Sequence, residues 1–260
     1  MSAAKILFTF ALSFVNIKSS YATEGFDYSL DVGMRSLPKA ASLRAEVGYG
    51  QVLWGNRTHG EVLYGYVRPV TRFRTSVLVN AAEAELQLAP ISFLILSGGS
   101  SVSQRNIDSA TIDCSQFDCR GVLGSQHVGT TFLLGAGAWS GGLDLRVDWM
   151  KPMSAGATTS DFADENSVLV GKRDGDRLLT QQSFLVYQPL ENWRLGGFMS
   201  KQQMTTSSTS NQTQGVFTRF TAPPWSYVVG LNLYESTTQT RSPGIFIALS
   251  WSGIPSIGLL

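Results

Sequence analysis

Segments of nine to eleven residues in which apolar and polar side chains alternate restrict this chain more than any other feature. Gly25 to Arg35 sets Phe26, Tyr28, Leu30, Val32 and Met34 against Asp27, Ser29, Asp31, Gly33 and Arg35. The same period of two runs through Leu143, Leu145, Val147 and Trp149, through Trp225, Tyr227, Val229, Leu231 and Leu233, and through Ile245, Ile247, Leu249 and Trp251. That period belongs to a strand with one apolar face, and the length suits a tilted bilayer crossing. No segment after the N-terminus approaches the 18 or so apolar residues of a spanning helix. The best, Leu88 to Leu96, is broken by Pro90 and Ser92. A chain of this kind crosses a membrane only with strands closed into a barrel, because hydrocarbon leaves the edges of an open sheet unsatisfied.

Composition and the N-terminus agree. Charged residues make up 15% of the chain, against about 25% in soluble domains, and 26 of the 260 residues are Gly. A hydrophobic fraction of 43% argues against disorder. With 20 basic and 19 acidic residues there is no bulk charge to hold nucleic acid. Lys5, the apolar stretch Ile6 to Ile17 and the small residues Ser20 and Ala22 form the pattern of a secretory signal peptide over residues 1–22, leaving one barrel domain over 23–260.

Alternating segments number twelve, at roughly 25–36, 42–54, 60–69, 74–88, 91–104, 122–138, 142–151, 177–189, 193–205, 213–222, 225–236 and 243–252. From the fifth onward their connections alternate long and short, with long loops near 105–121 and 152–176 and short turns such as Ser140-Gly141 and Pro223-Pro224. Outer-membrane barrels place short turns in the periplasm and long loops outside. Earlier loops, at Leu37 to Ala41 and Pro69 to Phe73, are expected to be short. Trp54, Trp139, Trp193, Trp225 and Trp251 fall at the short-turn ends, and Trp149 at the other, as in an interfacial aromatic girdle.

With its signal peptide, twelve strands and final strand Gly244 to Trp251, the chain resembles the outer-membrane β-barrel proteins of Gram-negative bacteria. The resemblance implies an all-β, antiparallel up-and-down barrel with both termini periplasmic, outer-membrane lipid around it, and small polar solutes or ions as partners. The residues after Trp251 depart from the usual terminal aromatic.

If the apolar faces meet lipid, the polar faces line a lumen. The candidate pore-lining residues are Asp27, Asp31, Arg35, Arg44, Glu46, Glu83, Glu85, Asp144, Arg146, Asp148, Arg194 and Arg219. Mixed signs either line a narrow pore or neutralise each other and close it. Cys114 and Cys119, in the longest loop of the first half, are expected to form a disulfide in an oxidising compartment. No metal or cofactor is expected. Asp161, Asp164, Glu165, Asp174 and Asp176 read as acids of a solvated loop. Three functions follow: a small passive channel, a plugged structural or adhesion barrel, or an acyl hydrolase. The last would need a base from His59, in a turn, or His127, near the outer end of the sixth strand beside Ser125.

Overall fold

The computed structural model describes residues 24–37, 39–55, 63–76, 78–106, 114, 117–153, 161–164, 167–237 and 239–254. The signal-peptide expectation for residues 1–22, His59 and the tail after residue 254 lie outside these. Fourteen strands appear among the described residues. They are β1 (Gly25–Arg35), β2 (Ala40–Trp54), β3 (Gly65–Thr75), β4 (Val79–Ile91), β5 (Leu94–Asn106), β6 (Arg120–Ala136), β7 (Trp139–Pro152), β8 (Phe162–Asp164), β9 (Leu169–Gly171), β10 (Asp176–Leu190), β11 (Trp193–Met204), β12 (Ser210–Ala222), β13 (Trp225–Ser236) and β14 (Gln239–Ile254). Twelve of them close an antiparallel barrel in chain order, β14 pairing with β1, while β8 and β9 form a separate hairpin. Closure removes the sheet edges that an open sheet would leave unpaired.

Alternation sets which way each side chain faces. Phe26, Leu30, Val216, Leu185, Leu231 and Ile245 stand exposed on the outside, Val216 by 60% and Ile245 by 54%. The opposite faces turn Asp27, Glu85, His127 and Asp148 into the bore, where each is buried. An apolar belt of this extent on a water-soluble protein would drive association, whereas around a closed barrel it meets lipid. The fold is therefore that of an outer-membrane β-barrel. The two-residue connections β4–β5, β6–β7, β10–β11 and β12–β13 lie at one end of the barrel, the turn end, and the two longest connections, β5–β6 and β7–β10, lie at the other, the loop end, together with the short β1–β2, β3–β4 and β13–β14 connections. Trp54, Trp139, Trp193, Trp225 and Trp251 all sit near the turn end, joined by Tyr28 against Trp251 and Tyr187 against Trp139.

Three expectations are corrected. The third strand does not stop at Pro69, and no loop occupies Pro69 to Phe73; β3 runs on to Thr75. Pro69 has no N–H to give the ladder, and the β2–β3 pairing skips Tyr49 and Gly50 opposite Arg68 and Pro69, then resumes in the same register. The turn between β6 and β7 falls at residues 137–138, not at Ser140-Gly141, where Gly137 takes the left-handed conformation (φ 59°) that a tight turn needs. The long loop between β7 and β10 is not wholly solvated. Its hairpin is buried, with Phe162, Ala163 and Asp164 all at 0 to 1% exposure.

Candidate functional site in the barrel lumen

Register alone brings acids and bases face to face. Residues directly opposite in an antiparallel ladder share a face. Asp31 opposes Arg44, which opposes Arg74, and Glu46 opposes Arg72, which opposes Glu83. Glu85 opposes Gly99, Gly99 opposes His127, and His127 opposes Asp148.

From these pairs grows one continuous network across β1–β7. Arg68 holds both carboxylate oxygens of Asp27, its Nε donating to Oδ2 at 2.9 Å, and reaches Glu46 Oε1 at 2.8 Å. Arg44 donates to Glu46 Oε2 at 3.0 Å. Arg72 joins three acids, donating to Glu46 Oε2 at 2.7 Å, Glu83 Oε1 at 3.1 Å and Glu85 Oε1 at 3.0 Å. Arg146 donates to Glu83 Oε1 at 3.2 Å and grips Asp148 through Nε and Nη2, the latter at 2.8 Å from Oδ1. His127 Nε2 lies 3.0 Å from Glu85 Oε2. Small inward residues on β5 make the room: a Cβ on Gly99 would stand 2.8 Å from His127 Cε1. The bidentate grips of Arg68 and Arg146 are the strong form of ion pair. Five carboxylates and four guanidiniums leave the network close to neutral. Each buried charge needs that company, because an unpaired one is expensive.

Glu83, Glu85 and His127 present ligand atoms within 4.8 Å of one another, the reach of a metal site. Arg72 and Arg146 already occupy those carboxylates, so protein cations take the place that a metal would fill.

All twelve sequence-derived lumen residues lie on the inward face, but they divide. Asp27, Arg44, Glu46, Glu83, Glu85, Arg146 and Asp148 belong to the network. Asp144 accepts from Thr131 Oγ1 at 2.6 Å. Arg194 and Arg219 oppose each other on β11 and β12, across the bore from the network. Arg35 and Arg219 line a cavity of about 1080 Å³ that is bordered by β11–β14 and β1 and, at the loop end, by Ser42, Arg74 and Val79 of β2–β4. Sequence reading misses Arg68, Arg72 and Arg74, because Pro69 reads as the end of their strand. It also misses Arg105 and the role of His127, whose signal is its place on the polar face of β6. His127 lies mid-strand rather than near the rim, and its ring contacts carboxylates, while Ser125 Oγ bonds Ser101 Oγ at 2.8 Å.

Across the loop end lies the β8–β9 hairpin. Phe162 and Leu169 pack with Leu123, Met150, Leu178 and Met204, inward side chains near the loop ends of β6, β7, β10 and β11. Arg105 on β5 donates to the Ala163 carbonyl, and Asn211 on β12 donates to the Ser167 carbonyl. Those two strands stand five places apart in a ring of twelve, so the hairpin spans the bore. Two of the acids read as solvated are structural here: Asp164 Oδ2 caps the hairpin turn at Ser167 N (2.8 Å), and Asp176 caps Thr206 N (2.8 Å) and Ser207 N (3.0 Å), while Asp174 is exposed as expected and Glu165 lies outside the described residues. Cys114 and Cys119 are bonded, and Cys119 is buried against Val79 and Ala163, so the bridge packs on the hairpin through Cys119.

No family model matches the chain, and no curated protein matches it. Among solved structures it is similar to the NanC porin, at 9% identity and TM-score 0.46, covering 86% of this chain and 98% of that one. The KdgM porin in complex with disordered oligogalacturonate gives 9% identity and TM-score 0.44 over the same shares. The translocator domain of the autotransporter NalP from Neisseria meningitidis gives 12% identity and TM-score 0.37, over 96% of this chain and 95% of that one. The barrel described above rests on its own strand pairing and not on these likenesses.

Proposed function

We propose that the protein is a passive channel of the bacterial outer membrane for small polar solutes or ions, in which no residue performs chemistry. Its mature chain begins near Thr23, both termini face the periplasm, and the loop end faces outward. The observation that carries this reading is the cavity of about 1080 Å³ inside the bore, which neither the ion network nor the hairpin fills. The network occupies the β1–β7 side as a fixed, self-neutralised wall. Passage runs beside it, along β11–β14, where Val168 at the tip of the hairpin borders the same cavity. A charged but internally paired wall gives slight selectivity, since neighbouring bases cancel the field of the acids.

One observation favours a second reading, the plugged structural barrel. The hairpin is packed and bonded to both sides of the mouth. Planar-bilayer conductance of the refolded protein separates the two. Small steps from the intact chain support the channel; current that appears only after residues 161–171 are replaced by a short Gly/Ser linker supports the plug.

A further inference from the structure

The β7–β14 side of the lumen is built unlike the charged side. Phe184 opposes Gly142, Phe198 opposes Gly215, Phe217 opposes Gly196 and Gly230, and Phe246 opposes Gly230. Each ring lies over a neighbouring glycine, Phe184 over Gly142, Phe198 over Gly215, Phe217 over Gly196 and Phe246 over Gly230: a Cβ on Gly142 would stand 2.7 Å from Phe184 Cζ, and one on Gly215 would stand 2.7 Å from Phe198 Cε1. Rings that cover glycines lie along the wall instead of crossing the bore. Phe198 meets Phe246 edge-on at 5.5 Å and Phe217 at 6.4 Å, so the three form one continuous aromatic surface. Beside it stand Arg219 and its cross-strand neighbour Arg194. Arg68, Arg72 and Arg146 are each committed to carboxylates, but among the described residues no acid comes within ion-pair distance of Arg194 or Arg219, and Arg219 Nε is buried without a hydrogen-bond partner. Two facing guanidiniums, one of them with a buried donor unfilled, attract a carboxylate, which they hold through paired N–H groups.

We propose that this corridor is a binding site for small anions whose carboxylate is carried on a ring. The ring lies against Phe198, Phe217 and Phe246, and the carboxylate meets Arg219 and Arg194. A cavity of about 1080 Å³ is at the upper end of the size of small-molecule sites. The site would give a nearly neutral lumen a preferred class of solute. This inference rests on the lumen's being accessible to solute, and therefore deepens the channel reading.

Its test measures binding, separately from conduction. Calorimetric titration of the refolded barrel in detergent uses four probes: benzoate and glucuronate, each a ring with a carboxylate, benzyl alcohol, a ring without one, and acetate, a carboxylate without a ring. Benzoate, glucuronate or both should bind at least tenfold more tightly than benzyl alcohol and acetate, and which of the two does so distinguishes an aromatic from a sugar acid. Arg194→Gln with Arg219→Gln should weaken the ring acid about tenfold, Arg219→Lys should weaken it less, and Phe217→Leu should narrow its advantage over acetate. Barrel content by circular dichroism confirms that each variant folds. Equal affinity for all four probes, or full affinity in the double Arg variant, would overturn the site. A barrel that conducts but binds none of them keeps the channel and rejects the site; one that binds the ring acid but never conducts keeps the site and rejects the channel.

Discussion

Leu145 and Arg146 show how one step along a strand changes the solvent a side chain meets. Leu145, midway along β7, is exposed on the outer face, and Arg146 beside it binds Asp148 and Glu83 inside. Leu145→Arg puts a cation into the middle of the lipid belt and should cost about 2–4 kcal/mol in a folding titration. Arg146→Leu removes the partner of two buried acids and should cost about 3 kcal/mol, more than its inward position alone would suggest. Arg146→Leu with no measurable cost would mean that the network does not form. Glu83→Gln combined with Glu85→Gln leaves Arg72 and Arg146 short of partners, so the lumen gains positive charge. The reversal potential under a salt gradient should then move toward the anion, and an unchanged potential would place these acids off the conduction path. Alternation in β1, β7 and β13 is enough to assign the inward face from sequence, because nearly every second residue there is charged, polar or small, Met150 and Val228 excepted. The same pattern exists in β3, where Arg68, Arg72 and Arg74 alternate with Val67, Pro69, Thr71 and Phe73. Pro69 conceals it: the residue that ordinarily ends a strand here sits outward, at a point where the ladder leaves its missing N–H unneeded.

At the scale of the element, the β8–β9 hairpin lies across the mouth of the bore. Its three-residue strands carry too little alternation to be read from sequence, and the acids around them resemble those of any solvated loop. What buries the hairpin is long-range: Phe162 and Leu169 find Leu123, Met150, Leu178 and Met204 only after the barrel has brought four distant strand ends together. Phe162→Ala should leave a cavity under the hairpin, weaken its seat by about 3 kcal/mol, and turn steady current into frequent open-state noise. A noise spectrum identical to that of the native chain would show that the hairpin does not govern the bore. The disulfide acts on the same assembly. Because Cys119 is buried against Ala163, a membrane-impermeant reductant followed by a thiol label should react slowly in the native protein and rapidly in Phe162→Ala, whereas equal rates would separate the loop from the hairpin.

For the molecule as a whole, a close balance of charge is divided into unequal walls. Bases and acids are nearly equal in number over the chain, yet the β1–β7 side neutralises itself and the β10–β14 side keeps Arg194 and Arg219 beside an aromatic surface. Strand count, the end at which tryptophans collect and the inward face are legible because each is written in local periodicity. The division of the lumen is not, since it depends on which strands become neighbours and in what register. Single-channel conductance in planar bilayers reads out whether a solute path survives beside both the network and the hairpin. The intact, refolded barrel should give small, stable, ohmic steps that rise several-fold when residues 161–171 are replaced by a short Gly/Ser linker. No current from the intact form, whether or not the replaced form conducts, would contradict such a path.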